Sequence, residues 1–428
     1  MIDTSIIFIA IPFVILGIVA YVYLLRDDRR WILAAIPIHL IVFLEKTTKI
    51  DLEKLFYTGF FFPALFIWFF RKWLKRERII QRKDELVLVL FLAVGLISVF
   101  IAGYQDPSYF SRGFREYYIF IPYLFYFPVR DFVTNRERFI EIVWALLITC
   151  TIGAIYVVYI FKTATVDATH VWNVLWSRKN LSEPLYMTAI LILLAMVASK
   201  AYKPRITFPL LAINILALGI TLTRGYWVAT GVGAVLLIIF LGKAARGRLI
   251  GFLTGGLAVV TATAAIVFPR IFEFLIGIVA ARATSISFQS ESLKDRLIES
   301  ASVISKIKAS PIIGHGFGAT FSFYEILQGY TMTTWYIHNG YLFLLFKLGM
   351  VGALMYLYFY FSRLIFTANT ARAEKDEQLS SMIMSFAVTL GVMLLVNVTS
   401  PQFDDKVPVL LMTVMWGAAA GIGRRQEQ

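Results

Sequence analysis

The chain has 428 residues, of which 59% are hydrophobic and only 16% charged, and its formal net charge is +14. A soluble domain has roughly a quarter of its residues charged, so this composition excludes an ordinary soluble protein and predicts a multi-pass membrane protein. Helices are the expected spanning elements, because open strands would leave backbone groups unpaired in lipid. The basic residues fall in short loops, as orientation signals do, which argues against a nucleic-acid partner. The single cysteine, Cys150, excludes a disulfide framework and a cysteine-based metal site.

Apolar segments recur along the whole chain, and most are long enough to cross a bilayer. The first lacks a basic leader and a small-residue cleavage site, so we expect a retained helix and not a signal peptide. The second is short for a span, which leaves both twelve and thirteen crossings open. The thirteen segments lie near residues 5–25, 31–44, 55–70, 86–103, 117–129, 139–161, 185–199, 206–222, 226–241, 249–268, 341–361, 379–397 and 407–423.

Positive charge is concentrated on one side of the predicted helices, near 71–83, 200–205 and 243–248 and at Arg424-Arg425. Cytoplasmic loops are the richer in Lys and Arg, so we assign this side to the cytoplasm. Every candidate site below then falls on the opposite, outer face, and one miscounted span near the middle would invert that assignment. The outer segments are 104–116, 162–184, 223–226, 270–340 and 399–406.

The longest polar segment is 270–340, and we treat the whole chain, 1–428, as one transmembrane domain that contains it. Residues 271–281 are apolar and predict a stretch at the membrane interface. Glycines in Gly314-His-Gly-Phe-Gly318 allow a tight turn shortly before the chain re-enters the membrane. No internal repeat and no second soluble domain is found.

A helix is predicted inside this loop. Ser292-Leu-Lys-Asp295 has capping-box spacing, with Asp in place of the usual Glu or Gln, and predicts a helix over 293–309 that Ser310-Pro311 ends. The helical period predicts two faces. The residues on the apolar face are Leu297, Ala301, Ile304 and Ile307, and the residues turned away from it are Glu299, Ser302 and Lys306.

His338 is the candidate catalytic base, and it is one of only four histidines. Asn339 is a good N-cap for a helix that begins near Tyr341. The positive end of that helix would disfavour the imidazolium form, and a neutral imidazole is what a general base needs. The same free N–H groups would favour a nearby phosphate. The alternative is a polar interfacial residue that only caps the helix.

Three arginines are candidate phosphate ligands, because a guanidinium can hold phosphate oxygens with two parallel hydrogen bonds. Arg224 lies in a tight turn between two apolar helices, Arg296 lies on the predicted loop helix, and Arg178 precedes an outer helix start. The alternatives are a snorkelling arginine on lipid headgroups for Arg224 and a solvated surface charge for Arg296.

Two further residues are candidates for a supporting role. Lys347 lies about nine residues after His338 and well within a span, where it either supports the site or snorkels. His315 is flanked by glycines and is either a loop feature or a contributor to the site. The sequence has no Walker loop, no HExxH and no paired acidic motif, so we expect a site built on His and Arg, without metal or cofactor.

At these residues the chain resembles the O-antigen ligase family and its relatives, the O-antigen polymerases and protein O-oligosaccharyltransferases. The ligase pattern is His followed by Asn, Ser or Gln, then nine residues, then Gly-x-x and Gly, Thr or Tyr. The chain is similar to it, with His338-Asn339, nine residues and Gly349-x-x-Gly352. Thr223-Arg-Gly resembles the family's Ser-Arg-Gly turn, with Thr in place of Ser. Asp295-Arg296 followed by Pro311-Ile-Ile-Gly resembles its arginine-bearing loop helix and the exit from that helix. The resemblance covers about residues 220–355.

The resemblance implies an all-α, GT-C-like membrane glycosyltransferase of about twelve spans in the bacterial inner membrane, with a large periplasmic loop and both termini cytoplasmic. The implied reaction transfers a polysaccharide from undecaprenyl diphosphate to a sugar hydroxyl of lipid A–core oligosaccharide. His338 would be the base, and Arg224, Arg296 and Arg178 would bind the pyrophosphate. The donor's tail would lie in an apolar groove between helices, beside membrane lipids.

Three other functions stay open at this point. An O-antigen polymerase would use the same donor but a growing glycan as acceptor, and the spacing after His338 argues against it. A protein O-oligosaccharyltransferase would use a protein acceptor. A transporter of lipid-linked sugars should carry charges at mid-membrane in several helices, or paired broken helices, whereas here Lys347 is nearly alone.

Overall fold

The computed structural model describes residues 19, 21–44, 52–165, 182–201, 203–267, 277, 291–326 and 329–427. Most of this part of the chain is helical, as predicted, and one short β-hairpin interrupts the order of helices. The helices are α1 (Asp28–Val42), α2 (Leu52–Leu74), α3 (Lys83–Gln105), α4 (Ser108–Tyr118), a 3-10 helix (Ile121–Phe125), α5 (Tyr126–Phe132), α6 (Arg136–Thr165), α7 (Glu183–Ala198), α8 (Pro204–Ile220), α9 (Arg224–Phe240), α10 (Lys243–Val267), α11 (Glu291–Ala309), α12 (Gly340–Ala373), α13 (Glu377–Val396) and α14 (Lys406–Glu427).

Five helices in the described ranges are long and apolar enough to cross a membrane, namely α3, α6, α12, α13 and α14. Three further apolar helices, α7, α8 and α9, have 16 or 17 residues each. Their length and composition make the chain a multi-pass membrane protein. The predicted total of about twelve spans stays a prediction, and segments 5–25 and 271–281 lie almost wholly outside the described residues.

Two of the predicted apolar segments differ from a single long helix. Segment 31–44 corresponds to α1, which has 15 residues and is therefore about 22 Å long, less than the ~30 Å of a hydrocarbon core. Segment 117–129 is divided between the end of α4, the 3-10 helix and α5. Pro122 lies in the first turn of the 3-10 helix, where its missing N–H is tolerated.

The loop before α12 contains the β-hairpin, which the sequence analysis did not predict and which leaves the all-α class of the described chain unchanged. Strand β1 (Phe321–Glu325) pairs antiparallel with β2 (Tyr330–Thr334), with Phe321 opposite Thr334. Side chains alternate along β1, so that Phe321 and Phe323 are buried while Ser322 and Tyr324 are exposed. Phe323 stacks on Phe321, and Phe321 packs edge-on against Phe346 of α12, which fixes the hairpin to the bundle.

The basic segments that the sequence assigned to one side do meet at one end of the bundle. Asp131, in the last turn of α5, pairs with Lys72 at 2.9 Å and with Arg424 at 2.9 Å. At the same end Arg363 of α12 pairs with Asp84, and both side chains are buried. Some of the basic excess therefore neutralises buried carboxylates, in addition to any role as an orientation signal.

Helix α12 is broken at Gly349, and the preceding loop fills the break. Gly349 has φ 63° and ψ −168°, which no helical residue adopts. The break frees backbone groups inside an apolar helix, where an unpaired group is costly. The loop 311–316 runs alongside and pairs them. The hydrogen bonds run from His315 N–H to Phe346 O, Gly316 N–H to Lys347 O, Met350 N–H to Pro311 O and Val351 N–H to Ile312 O, at 2.8, 2.9, 2.8 and 3.2 Å.

We expect Gly349→Ala to destabilise the protein, because a Cβ would collide with the Ile312 carbonyl and a positive φ is strained for alanine. The cost should be about 2–4 kcal/mol, the range of steric overpacking with added backbone strain. The measurement is thermal unfolding in detergent. Gly231→Ala in α9 is the control, because it meets open space and should be neutral or slightly stabilising. Equal unfolding temperatures for the two variants would contradict this account of the break.

Candidate functional site

His338 immediately precedes α12 and is held by one buried carboxylate. Its backbone N–H donates to Glu299 Oε1 at 2.7 Å, and its ring Nδ1 lies 2.6 Å from Glu299 Oε2. The Glu299 side chain is 4% exposed, whereas the His338 side chain is 40% exposed. The edge of the Tyr336 ring packs against the imidazole at 5.0 Å. The other ring nitrogen, Nε2, makes no hydrogen bond within the described part of the chain.

Asn339 caps α12 as predicted. Its side-chain oxygen accepts from the backbone N–H groups of Tyr341 and Leu342, at 2.9 and 3.1 Å. Gly340 donates its backbone N–H to Asn397 O at 3.0 Å, and a Cβ on Gly340 would collide with the Asn397 side chain. The first turn of α12 is therefore fixed both by its own cap and by the end of α13.

The loop helix was predicted at 293–309 and is α11, but its buried face is a different one. Leu297 and Ile304 are 60% and 42% exposed, whereas Glu299 is 3% exposed. The inward face consists of Asp295, Glu299 and Val303, spaced four residues apart. Two of these three side chains are acidic, and they accept hydrogen bonds from backbone N–H groups of the loop. The apolar periodicity therefore predicted the wrong buried face.

Arg296 lies on α11 three residues before Glu299 and is half-buried. Residues three apart on a helix are neighbours, about 5–6 Å between their Cβ atoms. Since Glu299 contacts His338 directly, the Arg296 side chain starts within one helical turn of the residue that holds the imidazole. Its role in the predicted site stays a prediction.

Arg224 is the first residue of α9 and is half-buried. Two residues later, the Tyr226 hydroxyl accepts from Gln402 Nε2 at 2.8 Å. Gln402 in turn donates its backbone N–H to Asn397 Oδ1 at 2.7 Å, and Asn397 is the residue that fixes Gly340. This chain of contacts places the Arg224 turn at the end of the bundle where α12 begins, so Arg224 and His338 lie on the same side of the molecule.

Lys347 is buried and does not snorkel. Its ammonium lies 2.8 Å from Glu116 Oε2 and donates to Ala319 O at 2.8 Å, and both charged side chains are 4% exposed or less. Glu116 also accepts the backbone N–H of Gly318. The pair therefore joins α4, the glycine-rich loop and α12. Of the two interpretations that the sequence left open, the structure excludes snorkelling, and support of the site by Lys347 stays a prediction.

His315 lies in the glycine-rich loop, where its Nε2 is 2.7 Å from Lys306 O, at the end of α11. Its ring is tilted against Phe346 at 5.1 Å. Lys306 lies seven residues beyond Glu299, about 10 Å along α11, so His315 contacts the last turns of that helix whereas His338 contacts its middle. The predicted ligand Arg178 lies outside the described residues, as does His170.

The sequence analysis did not single out Glu299 as the partner of His338. The signal that could have found it is the spacing of Asp295 and Glu299, which places two carboxylates on one helix face. Within the described ranges no three His, Cys, Asp or Glu side chains come close enough together to hold a metal ion.

Asp404 lies in the turn between α13 and α14, and its Oδ1 is enclosed without a hydrogen-bond partner among the described residues. Burial, with repulsion from Asp405 and Glu116, raises the pKa of Asp404 to about 7. A carboxyl whose pKa is raised by folding stabilises the fold below its unfolded pKa, and this contribution is lost as pH rises through the folded value. The window therefore runs from about pH 4 to about pH 7.

We expect the unfolding temperature of Asp404→Asn to fall less than that of the unsubstituted protein between about pH 5 and about pH 8, because the amide needs no proton to be neutral. Thermal unfolding at a series of pH values, in one detergent and at constant ionic strength, measures this. Parallel curves for the two proteins would show that the Asp404 carboxyl does not titrate in this window.

The helices define a multi-pass membrane protein, and the polar start of α12 at His338, with its buried partner Glu299, is the candidate site at one end of the bundle. A comparison with protein families adds the particular class. Residues 209–357 match the family described as O-antigen ligase, which confirms the resemblance inferred from the motifs. The match covers about a third of the chain and includes Arg224, Arg296, His315, His338 and Lys347. No curated protein matches.

Proposed function

We propose that the chain is an O-antigen ligase of the bacterial inner membrane. It would transfer polysaccharide from undecaprenyl diphosphate to a sugar hydroxyl of lipid A–core oligosaccharide. The observation that carries this proposal is the direct attachment of the arginine-bearing helix α11 to His338, through two short hydrogen bonds from Glu299. The proposed base and the proposed phosphate ligand Arg296 both belong to these two joined elements, within the segment that matches the family.

In the proposed step the acceptor hydroxyl attacks the anomeric carbon of the lipid-linked glycan. The new bond joins the acceptor oxygen to that carbon, and the bond from carbon to the pyrophosphate oxygen breaks. His338 takes the hydroxyl proton on Nε2, and undecaprenyl diphosphate leaves with the electron pair. Direct displacement inverts the anomeric configuration, and no covalent intermediate with the protein is needed.

Charge grows on the pyrophosphate as it departs, and fixed cations near it lower the barrier. Arg296 is held one helical turn from Glu299, and Arg224 begins a helix at the same end of the bundle. We assign both to the pyrophosphate, and we extend this assignment to Arg178. Guanidinium groups in these positions would neutralise the pyrophosphate charge, as Mg²⁺ does in many soluble transferases, so we propose a metal-independent reaction.

The basic segments at the opposite end of the bundle favour a cytoplasmic location for that end. The site would then face the periplasm. The donor's polyprenyl tail would remain among the apolar helices, and the lipid A–core acceptor would approach from the same leaflet.

The test is transfer in vitro with purified protein, undecaprenyl-diphosphate glycan and lipid A–core, with a chelator present. We expect glycosylated lipid A–core as the product and no loss of rate with the chelator. Extension of the donor glycan instead, with lipid A–core left unmodified, would identify a polymerase. Movement of the donor across the bilayer without any transfer would identify a transporter.

A further inference from the structure

The contacts of Glu299 determine which nitrogen of His338 carries the proton. In neutral imidazole one nitrogen donates and the other accepts, and the partner of one fixes the role of the other. A carboxylate only accepts hydrogen bonds, so Oε2 at 2.6 Å requires a proton on Nδ1. The free electron pair is then on Nε2, the nitrogen of an imidazole that is partly exposed.

We infer that Glu299 is a positioning residue that keeps His338 in the Nδ1–H tautomer, so that Nε2 is the base. This inference rests on the proposed function for its catalytic meaning, but the tautomer itself does not depend on it. Glu299 does not touch substrate in this role. It acts through the imidazole, and it also stabilises the imidazolium that forms when Nε2 takes a proton.

The second hydrogen bond makes the effect of a substitution specific. In Glu299→Gln the amide oxygen keeps the hydrogen bond from the backbone N–H of His338, which Glu299 Oε1 accepts at 2.7 Å. The amide nitrogen is then left to face Nδ1. Because it donates, Nδ1 must accept, and the ring proton moves to Nε2. The shape of the site is kept, but the base is blocked.

The same helix offers a matched control. Asp295 lies one turn earlier on the same face, is 7% exposed, and accepts the backbone N–H of Ile326 at 2.7 Å. Asp295→Asn removes one negative charge from the same buried face and weakens the attachment of α11 to the hairpin. It contacts no histidine, so a purely structural role of these carboxylates predicts similar effects for both variants.

The first experiment measures the tautomer by ¹⁵N nuclear magnetic resonance on the full chain labelled at histidine, at about pH 9, where imidazole is neutral. The His338 signals are assigned by their loss in His338→Gln. We expect a protonated Nδ1 in the unsubstituted protein and in Asp295→Asn, and a protonated Nε2 in Glu299→Gln. A protonated Nε2 in the unsubstituted protein would overturn the inference without any need for a variant to fold.

The second experiment is the kinetics of glycan transfer. We expect kcat of Glu299→Gln to fall by about 10²–10⁴-fold, as when a histidine base is held in the wrong tautomer, with KM for the donor nearly unchanged. Asp295→Asn should stay within about threefold of the unsubstituted protein. Equal losses in both variants would contradict a positioning role. If the tautomer changes as expected but the unsubstituted protein transfers no glycan, the proposed function fails while the role of Glu299 stands.

Discussion

Replacing His338 by alanine is expected to abolish glycan transfer while the protein stays folded. Loss of a general base costs about 10²–10⁴-fold in rate. Only the ring is removed, since the backbone N–H keeps its bond to Glu299. His338→Gln is the sharper variant, because its amide can still donate to the buried carboxylate but cannot accept a proton at neutral pH. The measurement is transfer to lipid A–core by purified protein, with thermal unfolding recorded beside it.

His315→Ala is the comparison for this prediction. It removes another histidine of the same segment, one whose ring contacts the last turns of α11. We expect it to keep most of the activity. Near-normal transfer by both His338 variants would remove His338 from the mechanism and leave it as a residue that only anchors α11 to α12.

Replacing Arg224 is expected to have the next largest effect. Arg224→Ala should lower the rate by about 10²–10³-fold, the usual cost of removing one group that stabilises transition-state charge. Arg224→Lys should still lose at least about tenfold, because an ammonium keeps the charge but cannot form the planar two-fold contact with phosphate oxygens. The measurement is the same transfer assay with a series of donor concentrations.

Arg205→Lys is the matched control for Arg224→Lys. Arg205 is exposed at the start of α8, about 25 Å along that helix from the turn that carries Arg224. We expect it to leave transfer unchanged. Full activity of Arg224→Lys would instead support a role of Arg224 on lipid headgroups, where one cation can replace another.

The parts of the site that depend on neighbouring residues could be predicted from the sequence. Asn339 caps α12 because an asparagine before an apolar helix can accept the first free N–H groups, and that relation spans only three residues. The loop helix was found for a similar reason, with an end fixed by Ser310-Pro311. The position of Arg224 in a tight turn between apolar helices could also be predicted from neighbouring residues alone.

Contacts between distant residues could not be predicted in this way. Glu299 and His338 are 39 positions apart. The spacing of Asp295 and Glu299 places two carboxylates on one face of α11, but it does not identify the later segment whose backbone they bind. The polar face was assigned to solvent because polar side chains usually are exposed. The hairpin was missed for a related reason, since its two strands are short and only their packing on α11 and α12 stabilises them.

The break at Gly349 has a consequence for how the protein inserts into the membrane. Four backbone groups of α12 find their partners only in residues 311–316, and each would cost several kcal/mol if it stayed unpaired in hydrocarbon. Those partners precede α12 in the chain, so they are synthesised before it. The backbone pairing of α12 is therefore complete only when residues 311–316 pack against it, which makes the folding of this preceding loop a condition for stable insertion of α12.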